Sequence, residues 1–165
     1  MTSIDLLTER LIAARRWTTS LLQDIQESRW FESPAPGIQH IAWQVGHLAA
    51  SQAVLIHNRC LNIPVAEVVP ESITKQFGRG SKPMGDAGAY PPIAEIRRLF
   101  DGVQADCLAR IRQMTESDLD LPAYGDPHPM FAKRGEAVAM TTMHEAFHAG
   151  QIALTRRLFG KAALR

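Results

Sequence analysis

His144 and His148 stand four residues apart in the run His144-Glu145-Ala146-Phe147-His148. On a helix, four residues advance the side chain by about 400°, so these two imidazoles point within roughly 40° of each other. Two imidazoles on one helix, joined by a third from another helix, make a three-nitrogen metal site. Three protein ligands leave a coordination position open, which is the arrangement of catalytic rather than structural zinc. A buried pair of imidazoles without partners is costly, and a metal satisfies both. The plainer reading of the same pair is two core histidines hydrogen-bonded to their neighbours.

The run also matches the H-E-x-x-H pattern of zinc peptidases, in which Glu145 would be the general base. That reading needs a third ligand, usually downstream, and after His148 the sequence has no His, Asp or Glu. It also needs a strand, and no convincing run of alternating apolar residues is present. A third ligand therefore comes from upstream: His40, His47, His57 or His128. His128 sits between Pro127 and Pro129, and His57 lies near the end of a helical stretch. His40 and His47 are seven apart and share a helix face. His47 is nearer mid-helix and follows Gly46, just as Gly150 lies two residues past His148. Glycine inside a helix costs about 1 kcal/mol against alanine, so both positions suggest close backbone approach, either around a shared ion or through tight helix packing alone. His47 is the expected third ligand, and His40 stays open as a fourth that would close the site.

Around these ligands the sequence offers few catalytic groups. Glu145 is about 100° round the helix from His144 and is expected to be exposed or to support a ligand from behind. Gln151 shares the ligand side, together with Met140, Phe147, Thr155 and Leu158, and that stripe is expected to face the core. Gln151 is a candidate for orienting a ligand or a bound water. Arg79 and Lys82, on a glycine-rich linker, are candidates for folding over an anionic substrate, or else solvated loop charges. Cys60 and Cys107 have no local histidine partner and read as packing residues rather than nucleophiles or a disulfide.

The elements that must position these residues follow from proline and periodicity. All ten prolines fall in three clusters, leaving proline-free stretches at 1–33, 37–63, 93–121 and 130–165. Proline breaks helix interiors, so four long helices are the natural parse. The spacing agrees: Ile4, Leu7, Leu11, Ala14, Thr18, Leu21 and Ile25 in the first stretch; Ile41, Val45, Leu48, Gln52 and Leu55 in the second; Ile93, Ile96, Phe100, Val103 and Cys107 in the third. Pro91-Pro92 predicts a helix start and Gly160 a helix stop. The connection over about 62–91 is long enough for a bundle crossover, with a short helix expected over 69–77.

Bulk properties narrow the class. A chain of 165 residues is one domain with room for a core. Its net charge of +1 gives no field to attract nucleic acid. The basic positions Arg156, Arg157, Lys161 and Arg165 read as the solvated end of a helix. Residues 38–58 carry no Asp, Glu, Lys or Arg, yet Gln39, His40, Gln44, His47, Ser51, Gln52 and His57 are too polar for lipid. A helix buried on several sides fits, and an uncharged subunit interface is the other use for it. With Asp5 and Glu9 near the start and no apolar targeting segment, a cytoplasmic location is expected.

The segment Trp43-Gln44-Val45-Gly46-His47-Leu48, together with Gly135-Glu136-Ala137 and the run from His144 to Ile152, resembles the DinB/YfiT-like superfamily of metal-binding four-helix proteins. The resemblance extends over almost the whole chain. It implies an all-α fold, a four-helix bundle of up-down-down-up topology with a long connection between the second and third helices, as a single domain over 1–165. It implies metal ligands at His47, His144 and His148, holding a divalent ion, zinc or nickel. It also implies a homodimer and a small-molecule substrate used with a low-molecular-weight thiol, in a transferase or hydrolase type of reaction. The contrasting expectation is a metal-binding module without catalysis, serving as sensor or dimeric structural unit. Neither nucleic acid nor membrane is an expected partner.

Overall fold

The computed structural model describes residues 1–164; Arg165, last of the basic C-terminal positions, lies outside them. Four long helices form where the proline-free stretches predict them. Helix α1 spans Ser3–Leu22 and starts on a reciprocal cap, in which Thr2 Oγ1 accepts from the Asp5 amide and Asp5 accepts from the Thr2 amide. Helix α2 spans Ile41–Gln52. A short helix α3, Glu71–Phe77, lies within the long connection. Helix α4, Ile93–Ile111, begins directly after Pro92. A one-turn helix α5, Glu116–Leu119, precedes α6, Arg134–Leu158. Helix α6 stops before Gly160, whose φ of +81° is the left-handed conformation that glycine supplies at such ends. Among the described residues there is no strand, only two isolated bridges, Pro122–Lys133 and His128–Phe131.

Side-chain pairs set the relative directions. Arg15 meets Glu145 and Asp24 meets Arg156, so α1 and α6 run the same way. Gln52 meets Gln104, His57 meets Asp106 and Cys60 meets Met114, so α2 and α4 run parallel to each other, and the contacts of Arg15 with Phe100 and of Gln104 with Leu11 set α4 against α1. This is an up-down-down-up order, and the parallel middle pair is what requires the 62–91 crossover.

Helix α2 is the buried centre. Every residue from Ile41 to Ala50 is buried, which accounts for its lack of charge and removes it as a subunit interface. Past Gln52 it continues as a π turn over Ala53–Asn58, with the Arg59 amide donating five residues back to the Val54 carbonyl. The wider turn shifts the phase, so Ile56 and His57 face inward and the expected seam residue Leu55 is only half-buried.

The α6 face differs from expectation. Its buried stripe is Ala137, Val138, Thr141, Glu145, His148, Ala149, Ile152, Thr155 and Arg156. Phe147 and Leu158, expected inside, are 64% and 49% exposed. The reason is charge pairing. Arg15 reaches into the core, donates to both Glu145 oxygens, to the Phe100 carbonyl and to Gln52, and lies over the Phe100 ring. A carboxylate so compensated can be buried, and α6 rotates to bury it. Arg156 is likewise buried, against Asp24, and not solvated.

Candidate metal centre

Two helices and one carbonyl place the three imidazoles. His47 lies in mid-α2, one residue after Gly46, whose missing side chain leaves room for the Phe77 ring at the end of α3; a Cβ there would overlap ring atoms Cδ1 and Cε1. That close approach brings the Phe77 carbonyl oxygen to 2.6 Å from His47 Nδ1. A carbonyl only accepts, so Nδ1 carries the proton and Nε2 keeps its lone pair. Trp43, one turn earlier, stacks flat on the His47 ring at 4.6 Å and 8°, and its indole N–H donates to Ser81 Oγ. The ring is thus fixed in tautomer and in plane. Ser51 Oγ lies 3.3 Å from Nε2.

His144 and His148 come from α6, with ring centroids 4.7 Å apart and at 5.1 and 4.9 Å from His47. One ligand nitrogen from each of the three lies within 4.8 Å of the others. A buried cluster of this kind holds protons poorly. Desolvation, and then the charge His47 would carry, lower the His144 pKa to about 4. Desolvation followed by His144 and His47 lowers that of His148 to about 3. His47 is lowered too, mainly by burial. All three are neutral near pH 7, the form that binds a metal. His148 Nδ1 is buried with no hydrogen-bond partner among the described residues, a costly state for a polar nitrogen. Three neutral nitrogens suit a first-row divalent ion. The residues therefore fit the ion that the sequence resemblance implies.

The site opens on one side. His47 and His144 form one wall of a cleft of about 710 Å³, lined further by Ser51, Val54, Leu55, Arg59, Thr74, Arg79, His128, Met130, Phe131 and Met140. Such a volume suits a small organic ligand.

The other expected residues lie elsewhere. His40 caps α2: its Nδ1 accepts from the Trp43 amide and its Nε2 donates to the Met84 carbonyl, so neither nitrogen is free to be a fourth ligand. Glu145 is 2% exposed and ion-paired with Arg15, so it is not solvent-exposed, and it does not line the cleft. Gln151 is half-buried, outside the cleft lining, and its Oε1 has no partner among the described residues. Arg79 lines the cleft, and Lys82 does not. Gly150 is exposed with nothing near its missing Cβ, so it marks no close approach. His57 is buried against Asp106, and contrary to expectation it touches a cysteine, with Nδ1 3.6 Å from Cys107 Sγ. The string Cys107–His57–Asp106 has the connectivity of a nucleophile relay. Cys107, however, is wholly buried and its thiol is pushed far above the ordinary range, mainly by desolvation, so it has neither access nor thiolate. Both cysteines are free and buried. Arg59 and His128 reach the cleft without a clear signal in the sequence, because the π turn and the 116–133 loop set their positions, whereas Ser51 stands one turn past His47 on α2.

Comparison with known proteins supplies the wider context. The family model described as the DinB superfamily matches residues 10–152. A crystal structure titled as that of a conserved protein of locus from Enterococcus faecalis superposes with a TM-score of 0.68, covering 98% of this chain and 99% of that one at 19% identity, a likeness of fold alone. No curated protein matches the sequence. Among the described residues no helix is long and apolar enough to cross a membrane.

Proposed function

Since the chain belongs to the DinB superfamily, we propose that it binds one divalent cation, zinc or nickel, through His47, His144 and His148, and acts on a small molecule as a thiol-dependent transferase or hydrolase. The observation that carries this reading is three neutral imidazoles, with ligand nitrogens within 4.8 Å of one another, at the wall of an open cleft. A divalent ion there supplies Lewis-acid activation of a bound water or thiol. The chain's own part is positional. Phe77 holds the His47 proton away from the site, Trp43 fixes the ring plane, and the half-exposed His144 marks where the cleft meets the trio. Val54, Leu55, Met130, Phe131 and Met140 give the cleft an apolar lining.

The alternative is a metal-binding module without catalysis, supported by the lack of a carboxylate beside the ligands. Two features favour the enzyme: the open cleft, and the engagement of both His40 nitrogens elsewhere, which removes His40 as a fourth ligand. The test is turnover of a panel of electrophiles by zinc-loaded, nickel-loaded and metal-free protein, with and without low-molecular-weight thiols. Activity requiring both metal and thiol is expected, with His148→Ala inert. Metal-loaded protein that neither binds thiols nor turns over any electrophile would leave the module.

We further propose a homodimer. Its support is the outward stripe of α6, where Met143, Phe147, Leu154 and Leu158 are all exposed around Gly150 at helical spacing. Light scattering on wild type and Phe147→Glu is expected to give a dimer and a monomer; a monomeric wild type contradicts it.

A further inference from the structure

The cleft has a charge asymmetry that the metal site does not require. Among the described residues lining it there is no Asp or Glu, whereas two arginines and a third histidine, His128, face it. Arg79 makes no hydrogen bond or ion pair with any described residue. Arg59 has no carboxylate partner either. Its guanidinium donates to the Asp126 carbonyl, packs beside Gly125 and lies 5.4 Å from the Phe131 ring centroid, and its Nε is buried without a partner. These contacts orient it and leave it without a carboxylate partner, which suits it to donate to an anion. His128 is oriented in the same way. Its Nδ1 accepts from the Met130 amide at 3.2 Å, so the neutral ring carries its proton on Nε2, and the ring stacks on Phe131 at 4.1 Å. Burial, then Arg59 and Arg79, lower the His128 pKa, so both cations act at this one place. Val54, Leu55, Met130 and Met140 give the same cleft an apolar lining.

We propose that the cleft binds a small organic anion with an apolar body, its carboxylate or phosphate head held by Arg59, Arg79 and His128 and its other end lying at the imidazole trio. The proposal names the substrate class of the site described above and rests on that reading for the metal end only. A charge-assisted contact to guanidinium is directional and stronger than a neutral one, so the head fixes which end of the ligand reaches His47 and His144. The apolar body accounts for the methionines and Phe131, which a merely hydrated anion site would not need.

Calorimetric titration of zinc-loaded protein with 4-phenylbutyrate, phenyl phosphate and the uncharged 4-phenylbutanamide tests this, with zinc content measured on each sample. Saturable binding of at least one anion is expected, with the amide at least about tenfold weaker. Arg79→Gln should weaken the anion about tenfold and Arg79→Lys should restore most of it. Arg79 is exposed and unpaired, so these variants leave the fold intact; Arg59→Gln is the second arm, with thermal unfolding as its control. Binding of only one of the two anions identifies the head group and supports the proposal. Equal affinity for amide and anions, no binding of any probe, or Arg79→Gln and Arg59→Gln both matching wild type overturns it. Absence of zinc from wild type, with charge-selective binding still lost in Arg79→Gln, would instead overturn the metal reading and leave the anion site standing.

Discussion

A neutral imidazole is a metal ligand and a protonated one is not, and burial decides between them at His144 and His148. Their pKa values of about 4 and 3, against about 6.5 in an unfolded chain, mean that the folded protein binds fewer protons than the unfolded chain throughout that interval. Stability of the metal-free protein therefore rises with pH and is lost as pH falls below about 6.5, by about 2 kcal/mol per imidazole at pH 5. Urea midpoints at pH 7.5 and pH 5 check this; a midpoint that does not fall, or a fall that His148→Gln fails to reduce, contradicts it. Glu145 makes the opposite point about a charge. Its position beside a ligand in sequence invites a catalytic role, yet its carboxylate neutralises a buried arginine and ties α6 to α1. Glu145→Ala strands that guanidinium and should cost about 3–5 kcal/mol in denaturant unfolding, while leaving metal stoichiometry unchanged in whatever fraction remains folded. A loss below about 1 kcal/mol would show that the pair is not the buried tie described.

Elements explain which parts of the site were legible beforehand. Helix α2 reads as buried because it is uncharged, and it is buried all round. The spacing of His144 and His148 reads as one face, and their rings lie side by side. The rotation of α6 was not legible, since periodicity places charge outward and carries no sign that Arg15, far off in sequence, answers Glu145. Nor was the π turn, whose extra residue moves Ile56, His57 and Arg59 out of an ideal helical register. Two glycines show the same limit. Gly46 and Gly150 look alike in sequence, but only Gly46 lies under a neighbouring ring. Gly46→Ala is expected to cost about 1–3 kcal/mol by overpacking and to weaken metal binding, because displacing Phe77 moves the carbonyl that orients His47. Gly150→Ala, on an exposed helix turn, should stabilise by about 0.4–1 kcal/mol. Thermal unfolding of both variants, with metal affinity alongside, is the check; equal effects would contradict the packing described for α2 and α3.

At the scale of the molecule, the bundle's parallel central pair and the long crossover that carries α3 bring α2 and α6 together, and the sequence resemblance already implied that order of helices. What it did not supply is the cleft, assembled from α2, the segment after α3, the 116–133 loop and α6, none of which announces its neighbours. An ion at the trio would bridge α2 and α6, so removing it with a chelator should lower the unfolding temperature, and restoring it should raise that temperature with metal concentration. The most direct measurement is elemental analysis of tag-free protein. Wild type is expected to carry about one divalent ion per chain, with His47→Ala and His148→Ala carrying almost none. Full occupancy in folded His47→Ala would contradict a site shared between the two helices.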